Sequence, residues 1–104
     1  MGKEFDITPV DVPKVETQYR RIVTQIPHPD SVKTLESLHQ SEPISMRGQP
    51  PVVWERAEDC QVYDKHGNMW LDWSSGVLVT NAGHGMPEVR QAIIDQVNSG
   101  LLHN

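Results

Sequence analysis

The sequence is poor in cysteine, in positive charge and in long hydrophobic runs. Its one cysteine, Cys60, cannot form an internal disulfide, and a single free thiol is typical of a reducing compartment. The 9 basic residues are outnumbered by 14 acidic ones, and the net charge of −5 argues against a nucleic-acid-binding surface. No apolar stretch approaches the roughly 18 residues of a membrane span, and "MGKEFDITPV" lacks the apolar core of a secretion signal. We therefore expect a cytoplasmic protein that binds neither nucleic acid nor membrane.

The first half of the chain is rich in proline, which interrupts regular elements. Seven of the 8 prolines lie at or before Pro51, so we expect short elements and extended segments there. From Val15 onward the apolar residues follow a helical spacing, but many are β-branched, so a helix and an extended arm are equally open. A short helix is predicted over 31–40, with Asp30 as its N-cap and Pro43 beyond its end.

The second half predicts a small antiparallel sheet followed by a helix. "PVVWER" is one β-rich run, and "CQVYDKHGNMWLDW" indicates two strands joined by a turn at Gly67. Pro87 suits the first position of a helix that Gly100 can end. Its apolar stripe is expected to cover the sheet, because a lone sheet of about three strands needs a covering layer. The predicted fold class is α+β.

Local spacing offers no complete active site. The five histidines, at positions 28, 39, 66, 84 and 103, show no metal-ligand spacing, so no metal site is predicted. The carboxylate pairs Asp72 with Glu88 and Glu55 with Glu58 suit acid–base chemistry, but solvation is the default for carboxylates. Three tryptophans without a basic patch favour packing over a stacking platform for bases, and they are Trp54, Trp70 and Trp73.

The stretch "VYDKHGNMWLDWSSGVLVTNAGHGMPEVRQAIIDQV" resembles the N-terminal region of class III aminotransferases. These are pyridoxal-phosphate enzymes of the aspartate-aminotransferase fold (fold type I), such as ornithine, acetylornithine and 4-aminobutyrate aminotransferases. The resemblance extends from about Arg47 to Asn104, and Met86 departs from it where the family usually has histidine. It implies a leader arm over 1–46 and the N-terminal part of the small domain over 47–104.

The resemblance also suggests which residues approach a substrate. It implies that Gly76 and Val77 lie at the mouth of the substrate pocket, where an apolar Val77 is similar to the 4-aminobutyrate type. An apolar side chain there would select substrates by volume, whereas the alternative is that Val77 only fills the core. Asn81 and His84 are expected to support the turn and not to catalyse.

The resemblance implies pyridoxal 5'-phosphate as cofactor, but none of the family's cofactor residues falls within this sequence. None of the four lysines, Lys3, Lys14, Lys33 and Lys65, stands in the context of the Schiff-base lysine, so no catalytic residue is predicted. We expect an N-terminal fragment of a homodimeric transaminase that moves an amino group between an amino donor and a 2-oxo acid. The fragment would supply pocket wall and dimer surface and be inactive alone. The alternative is a non-catalytic interaction module or a truncated remnant.

Overall fold

A computed structural model describes residues 5–46 and 48–102, so Lys3, Arg47, His103 and Asn104 lie outside the described residues. The described strands are β1 (Val15–Glu16), β2 (Arg21–Ile22), β3 (Arg56–Glu58), β4 (Gln61–Tyr63) and β5 (Met69–Leu71). The helices are α1 (Val32–Ser41) and α3 (Pro87–Asn98), α2 (Ser75–Leu78) is a single four-residue turn with positive φ angles, and 3-10 turns cover Pro29–Ser31 and Ile44–Met46.

The strands form one antiparallel sheet in the order β1-β2-β5-β4-β3. The predicted pair of strands around Gly67 is confirmed as β4 and β5, with Val62 opposite Trp70. Gly67 has a φ of +93°, the conformation that a residue without a Cβ adopts at low cost. The α+β prediction is confirmed in its coarse form.

The sheet is larger than the sequence indicated, with five strands instead of about three. The leader adds the other two, because β2 pairs with β5 through Arg21 and Met69. The leader segment after Val15 is therefore extended where it forms β1 and β2, since sheet pairing overrides the helical spacing of its apolar residues. The strand predicted in "PVVWER" also begins later than expected, because β3 starts at Arg56, the last residue of that run.

A buried asparagine joins the leader to the β4–β5 turn. Asn68 is fully buried, and its Oδ1 accepts hydrogen bonds from the backbone N–H groups of Val23 (2.8 Å) and Thr24 (3.3 Å). Its Nδ2 donates to Thr24 Oγ1 and to Asp64 Oδ2, each at 2.7 Å. All the hydrogen-bonding capacity of the side-chain amide is thus used, as a buried polar group requires. The core beside it is small, and its buried apolar residues are Ile22, Leu35, Val62 and Met69.

The predicted cap of α1 is wrong. Asp30 lies inside the preceding 3-10 turn, and Ser31 occupies the N-cap position without a side-chain hydrogen bond. The ring of His28 instead accepts the backbone N–H of Asp30 at 3.1 Å. The extra turn, which begins at Pro29, moves the start of the α-helix two residues beyond Asp30.

The terminal helix forms where the sequence predicted, but it does not cover the sheet. Pro87 is its first residue, and Gly100 follows its end with a φ of +74°. The backbone of α3 contacts no other described helix or strand, and its apolar side chains are exposed, Ile93 by 60%. The radius of gyration of 16.4 Å exceeds the about 13 Å of a compact domain of this length. The expectation that α3 buries its stripe on the sheet is therefore wrong within this chain.

We expect the core and α3 to differ sharply in their contribution to stability. Val62→Ala should lower the free energy of unfolding by about 2 kcal/mol, because Val62 is 1% exposed and its methyl groups leave a cavity. Ile93→Ala should change it by less than about 0.5 kcal/mol. Urea denaturation of both variants tests this. Equal losses would mean that α3 covers apolar surface in solution.

Candidate functional site

The centre of the site is the carboxylate of Asp72, which follows β5 and is 3% exposed. Its Oδ1 accepts hydrogen bonds from the backbone N–H (2.9 Å) and hydroxyl (2.7 Å) of Ser74. Its Oδ2 accepts from the backbone N–H of Gly76 (2.8 Å) and lies 2.7 Å from Nε2 of His84. An ionised carboxylate can only accept, so Nε2 of His84 has the hydrogen in this pair. Four donors from three residues therefore surround one buried carboxylate.

The hydrogen bonds keep this carboxylate ionised. Burial raises the pKa of Asp72, but the hydrogen bonds from Ser74, His84 and Gly76 together hold its pKa well below the usual range. These bonds favour the charged form, since each donor loses its best acceptor when the oxygen is protonated. Asp72 is thus a permanent negative charge at neutral pH.

Backbone pairing with the β3–β4 turn holds His84 beside Asp72. The backbone N–H of His84 donates to the carbonyl of Asp59 at 2.7 Å, and the N–H of Asp59 donates back at 2.8 Å. Gly83 has a φ of +88°, and a Cβ at this position would lie 2.9 Å from Asp59 Oδ1. Glycine at position 83 therefore permits the close approach that sets the His84 ring against the carboxylate.

The turn Ser75–Leu78 has a left-handed backbone throughout. The φ angles are 51° at Ser75, 56° at Gly76, 64° at Val77 and 66° at Leu78. The left-handed helical conformation costs an L-residue roughly 1–2 kcal/mol, and a β-branched residue such as Val77 is a pronounced outlier. We call Ser75–Leu78 the left-handed turn. The hydrogen bond from Gly76 to Asp72 offsets part of this cost, together with Leu78 N–H to Ser74 carbonyl at 2.8 Å.

The left-handed turn presents apolar side chains outward. Val77 is 70% exposed, so the interpretation that it fills the core is wrong. Leu78 and Val79 are also mostly exposed, and Trp73 just before the turn is 89% exposed. Gly76 is partly buried, and a Cβ there would lie 3.3 Å from the side chain of Thr80. The two residues that the sequence singled out therefore occupy a strained, surface-exposed turn.

The structure pairs Asp72 differently from the sequence prediction. Solvation was the default for Asp72, and Glu88 was its candidate partner, but Asp72 is buried and its partner is His84. Glu55, Glu58 and Glu88 are exposed, as the default predicted. Sequence reasoning assigned His84 to turn support, and the hydrogen bond to Asp72 is one way in which it does so. Asp72 and His84 are twelve residues apart and meet only through the fold. Rules based on the spacing of residues along the chain do not detect such a pair.

A cavity of about 180 Å³ lies against the Asp72–His84 pair. Cys60 and Thr80 also line it, and Thr80 Oγ1 is buried without a hydrogen-bond partner among the described residues. Among those residues, no hydrogen bond joins Cys60 to His84, so the cavity offers no activated thiol. Lysine is absent from its lining, since Lys14, Lys33 and Lys65 are exposed. This cavity therefore does not fit an aldehyde cofactor that needs a pocket lysine.

Comparison with known proteins identifies the family. The model of the class-III aminotransferases matches residues 44–104, and the chain belongs to this family. It is 41% identical over 61 residues to the probable mitochondrial acetylornithine aminotransferase of Schizosaccharomyces pombe, which covers 59% of this chain and 14% of that protein. It is 35% identical over 80 residues to the 4-aminobutyrate aminotransferase of Mycobacterium leprae, which covers 77% of this chain and 18% of that protein.

A third relative is named for a different substrate. The diaminobutyrate–2-oxoglutarate transaminase of Oceanobacillus iheyensis is 36% identical over 55 residues, which cover 52% of this chain and 13% of that protein. The chain thus spans less than a fifth of the length of these three relatives, at most 18%. No solved structure matches the chain significantly. Among the described residues, no helix has the length and apolar character that crossing a membrane requires.

We expect Asp72→Asn to destabilise the chain by about 2 kcal/mol near neutral pH. An amide in place of Oδ2 cannot accept the hydrogen bonds from Gly76 and His84, and buried donors without acceptors cost about 1–3 kcal/mol. Because the folded pKa of Asp72 is depressed, its stabilisation is present above about pH 4 and is lost as the pH falls below that value. The difference between the two proteins should therefore shrink toward pH 2.5.

Thermal unfolding of wild type, Asp72→Asn and the control Glu88→Gln between about pH 7 and 2.5 checks this. Glu88 is exposed in the first turn of α3. The free energy of unfolding of Glu88→Gln should therefore stay within about 0.5 kcal/mol of the wild-type value at each pH. An Asp72→Asn deficit that stays constant with pH would contradict an ionised Asp72 as the source of stability.

Proposed function

We propose that this chain is the N-terminal, substrate-side part of a pyridoxal-phosphate-dependent aminotransferase of fold type I. The enzyme would transfer an amino group between an amino acid or amine and a 2-oxo acid. The observation that supports this most directly is the left-handed turn, which lies inside the family-matched region and exposes Val77 at the cost of backbone strain. Strained backbone clusters at ligand sites, where the surrounding structure maintains it.

In this proposal the leader spans 1–46 and the first part of the small domain spans 47–104. Gly76 and Val77 stand at the mouth of the substrate pocket, where Gly76 allows close backbone approach and Val77 restricts volume. The buried Asp72–His84 pair fixes the turn from behind. Relatives named for acetylornithine, 4-aminobutyrate and diaminobutyrate favour a small amino donor, and one is named for 2-oxoglutarate as partner substrate.

The exposed apolar surfaces support a larger assembly. The stripe of α3 and the side chains around Trp73 and Val77 form apolar surface of a kind that soluble proteins normally cover. We propose that the rest of the aminotransferase and the second subunit of a homodimer cover them, in the cytoplasm. The alternative, a stand-alone interaction module, has this same exposed surface in its favour and no further observation. The hypothesis of a larger aminotransferase accounts for both the exposed surface and the strained turn.

The cofactor chemistry lies outside the residues described. Pyridoxal phosphate supplies an electron sink for the amino group when an aminotransferase binds it. Holding it requires a pocket lysine, and the described lysines are exposed. The role of this chain's residues is therefore to bind and orient substrate: Val77 by volume, and Asp72 with His84 by fixing the backbone beneath it.

The isolated chain should not form a specific complex with pyridoxal phosphate. Its three described lysines are solvated, so adducts with the cofactor aldehyde should be weak and lost on dialysis. Absorbance spectra before and after dialysis test this, with free lysine at equal concentration as the reference. An absorbance band that survives dialysis and disappears in one lysine variant would contradict the proposed division of labour.

In an aminotransferase that contains this chain, Val77→Tyr should change donor preference. The larger side chain and its hydroxyl should alter the ratio of kcat/KM values between a short and a long amino donor by about 10-fold, roughly the effect of a pocket methylene or two. The control is Val10→Tyr, an exposed valine of the leader, which should leave the ratio unchanged. Ratios that match wild type in both variants would count against Val77 as a substrate-sorting residue. A folded, full-length gene product that shows no transaminase activity would reject the proposed function itself.

A further inference from the structure

Two histidines that are distant in the sequence are stacked in the structure. His28 precedes the 3-10 turn before α1, and His66 lies in the β4–β5 turn. Their ring centroids are 3.5 Å apart and their planes differ by 11°. Both side chains are partly buried. The fold therefore brings together two imidazoles from the leader and the hairpin, which the spacing of histidines along the chain did not reveal.

A carboxylate completes this group. Asp30 Oδ2 lies 3.9 Å from Nδ1 of His28, and one potential ligand atom from each of His28, Asp30 and His66 falls within 4.8 Å of the others. We call these three residues the His–Asp–His cluster. It is separate from the Asp72–His84 pair and has no residue in common with the cavity beside that pair.

The backbone on both sides of the cluster is fixed. Asp64 Oδ1 accepts the backbone N–H groups of His66 and of Asn68, each at 2.9 Å. On the other side, the backbone N–H of Ser31 donates to the carbonyl of His28 at 2.8 Å. The hydroxyl of Ser31 also lies 3.4 Å from Nε2 of His66, so it is a polar neighbour of the second ring. The ligand side chains thus extend from two anchored turns, and little chain entropy remains to be lost on binding an ion.

We propose that the His–Asp–His cluster binds one divalent transition-metal ion of the zinc type. Two imidazoles and one carboxylate are the donor set that Zn²⁺, Co²⁺ and Ni²⁺ accept, whereas Ca²⁺ and Mg²⁺ require oxygen ligands. The three protein ligands leave a fourth position to water, as in zinc sites that are not closed by protein. This inference is independent of the proposed aminotransferase activity.

Binding requires a small movement of the side chains. Tetrahedral ligands at zinc distances are about 3.3 Å from one another, so donors spread over as much as 4.8 Å need to approach by an ångström or so. The lone pairs of nearly parallel rings also lie in two parallel planes, so the rings need to tilt until both lone pairs point at the ion. At Nδ1 of His28, the ion would replace the 3.1 Å hydrogen bond from Asp30 N–H.

The ion would connect the two halves of the chain. His28 and Asp30 belong to the leader, and His66 belongs to the turn between β4 and β5. Asn68 already joins these two segments through its hydrogen bonds to Val23 and Thr24. An ion that binds the folded chain and not the unfolded one raises the melting temperature in proportion to the logarithm of its concentration. The cluster would therefore act as a second, metal-dependent connection between leader and sheet.

Titration of the full chain with Zn²⁺, followed by calorimetry and by thermal unfolding, tests the proposal. We expect one ion per chain, a rise in melting temperature, and reversal of that rise by a chelator. Co²⁺ should give the visible absorption of a tetrahedral or five-coordinate site. His66→Gln should weaken Zn²⁺ binding by more than the roughly 10–100-fold that loss of an outer-sphere partner costs. The matched control His39→Gln, at the other end of α1, should bind like wild type.

A measurement on the unmutated protein keeps the test valid if a variant fails to fold. In nitrogen-15 spectra of the imidazole rings, Zn²⁺ should shift the signals of His28 and His66 together while those of His39 and His84 stay in place. Equal Zn²⁺ affinity in His66→Gln and His39→Gln would overturn the proposal. So would the absence of saturable binding, or ring shifts that spare His28 and His66.

Discussion

The buried, ionised carboxylate of Asp72 is the interaction on which the candidate site in the family-matched half of the chain depends. It accepts hydrogen bonds from Ser74 and Gly76 on one side and from His84 on the other. It therefore joins the start of the left-handed turn to the segment that follows the turn, at His84. The cost of taking a charge out of water is acceptable here because every oxygen is satisfied by donors. The charge acts together with the backbone pairing of His84 with Asp59 and the hydrogen bond from Leu78 to Ser74, which fix the same two segments.

The sequence predicted the elements whose causes are local. The β4–β5 pair follows from alternating β-forming residues around a glycine turn, and the limits of α3 follow from Pro87 and Gly100. Family resemblance, supported by the match over residues 44–104, provided the class of protein. Local physical chemistry and a pattern of spaced residues were sufficient for these parts.

The parts that the sequence did not predict depend on contacts between distant residues. The pairing of β2 with β5 and the stacking of His28 on His66 join positions more than 35 residues apart, which no periodicity records. The burial of Asp72 likewise depends on the docking of Gly83 and His84 onto the β3–β4 turn. The resemblance predicted a role for Gly76 and Val77 at the substrate pocket, which stays a prediction, and sequence reasoning could not predict the left-handed backbone that exposes Val77.

The left-handed turn and the uncovered helix α3 have the same explanation. A chain that had to stabilise itself alone would gain from burying the stripe of α3 and from relaxing Val77 into an ordinary backbone conformation. It does neither, and its radius of gyration is that of an open arrangement. The proposed aminotransferase assembly would supply surfaces outside this chain that complete the packing, as a strained turn and an exposed apolar stripe require. The span of less than a fifth of its relatives, 14% and 18% for two of them, is consistent with that requirement. What this segment maintains by itself is the geometry of one turn, through the hydrogen bonds from Gly76 to Asp72 and from Leu78 to Ser74.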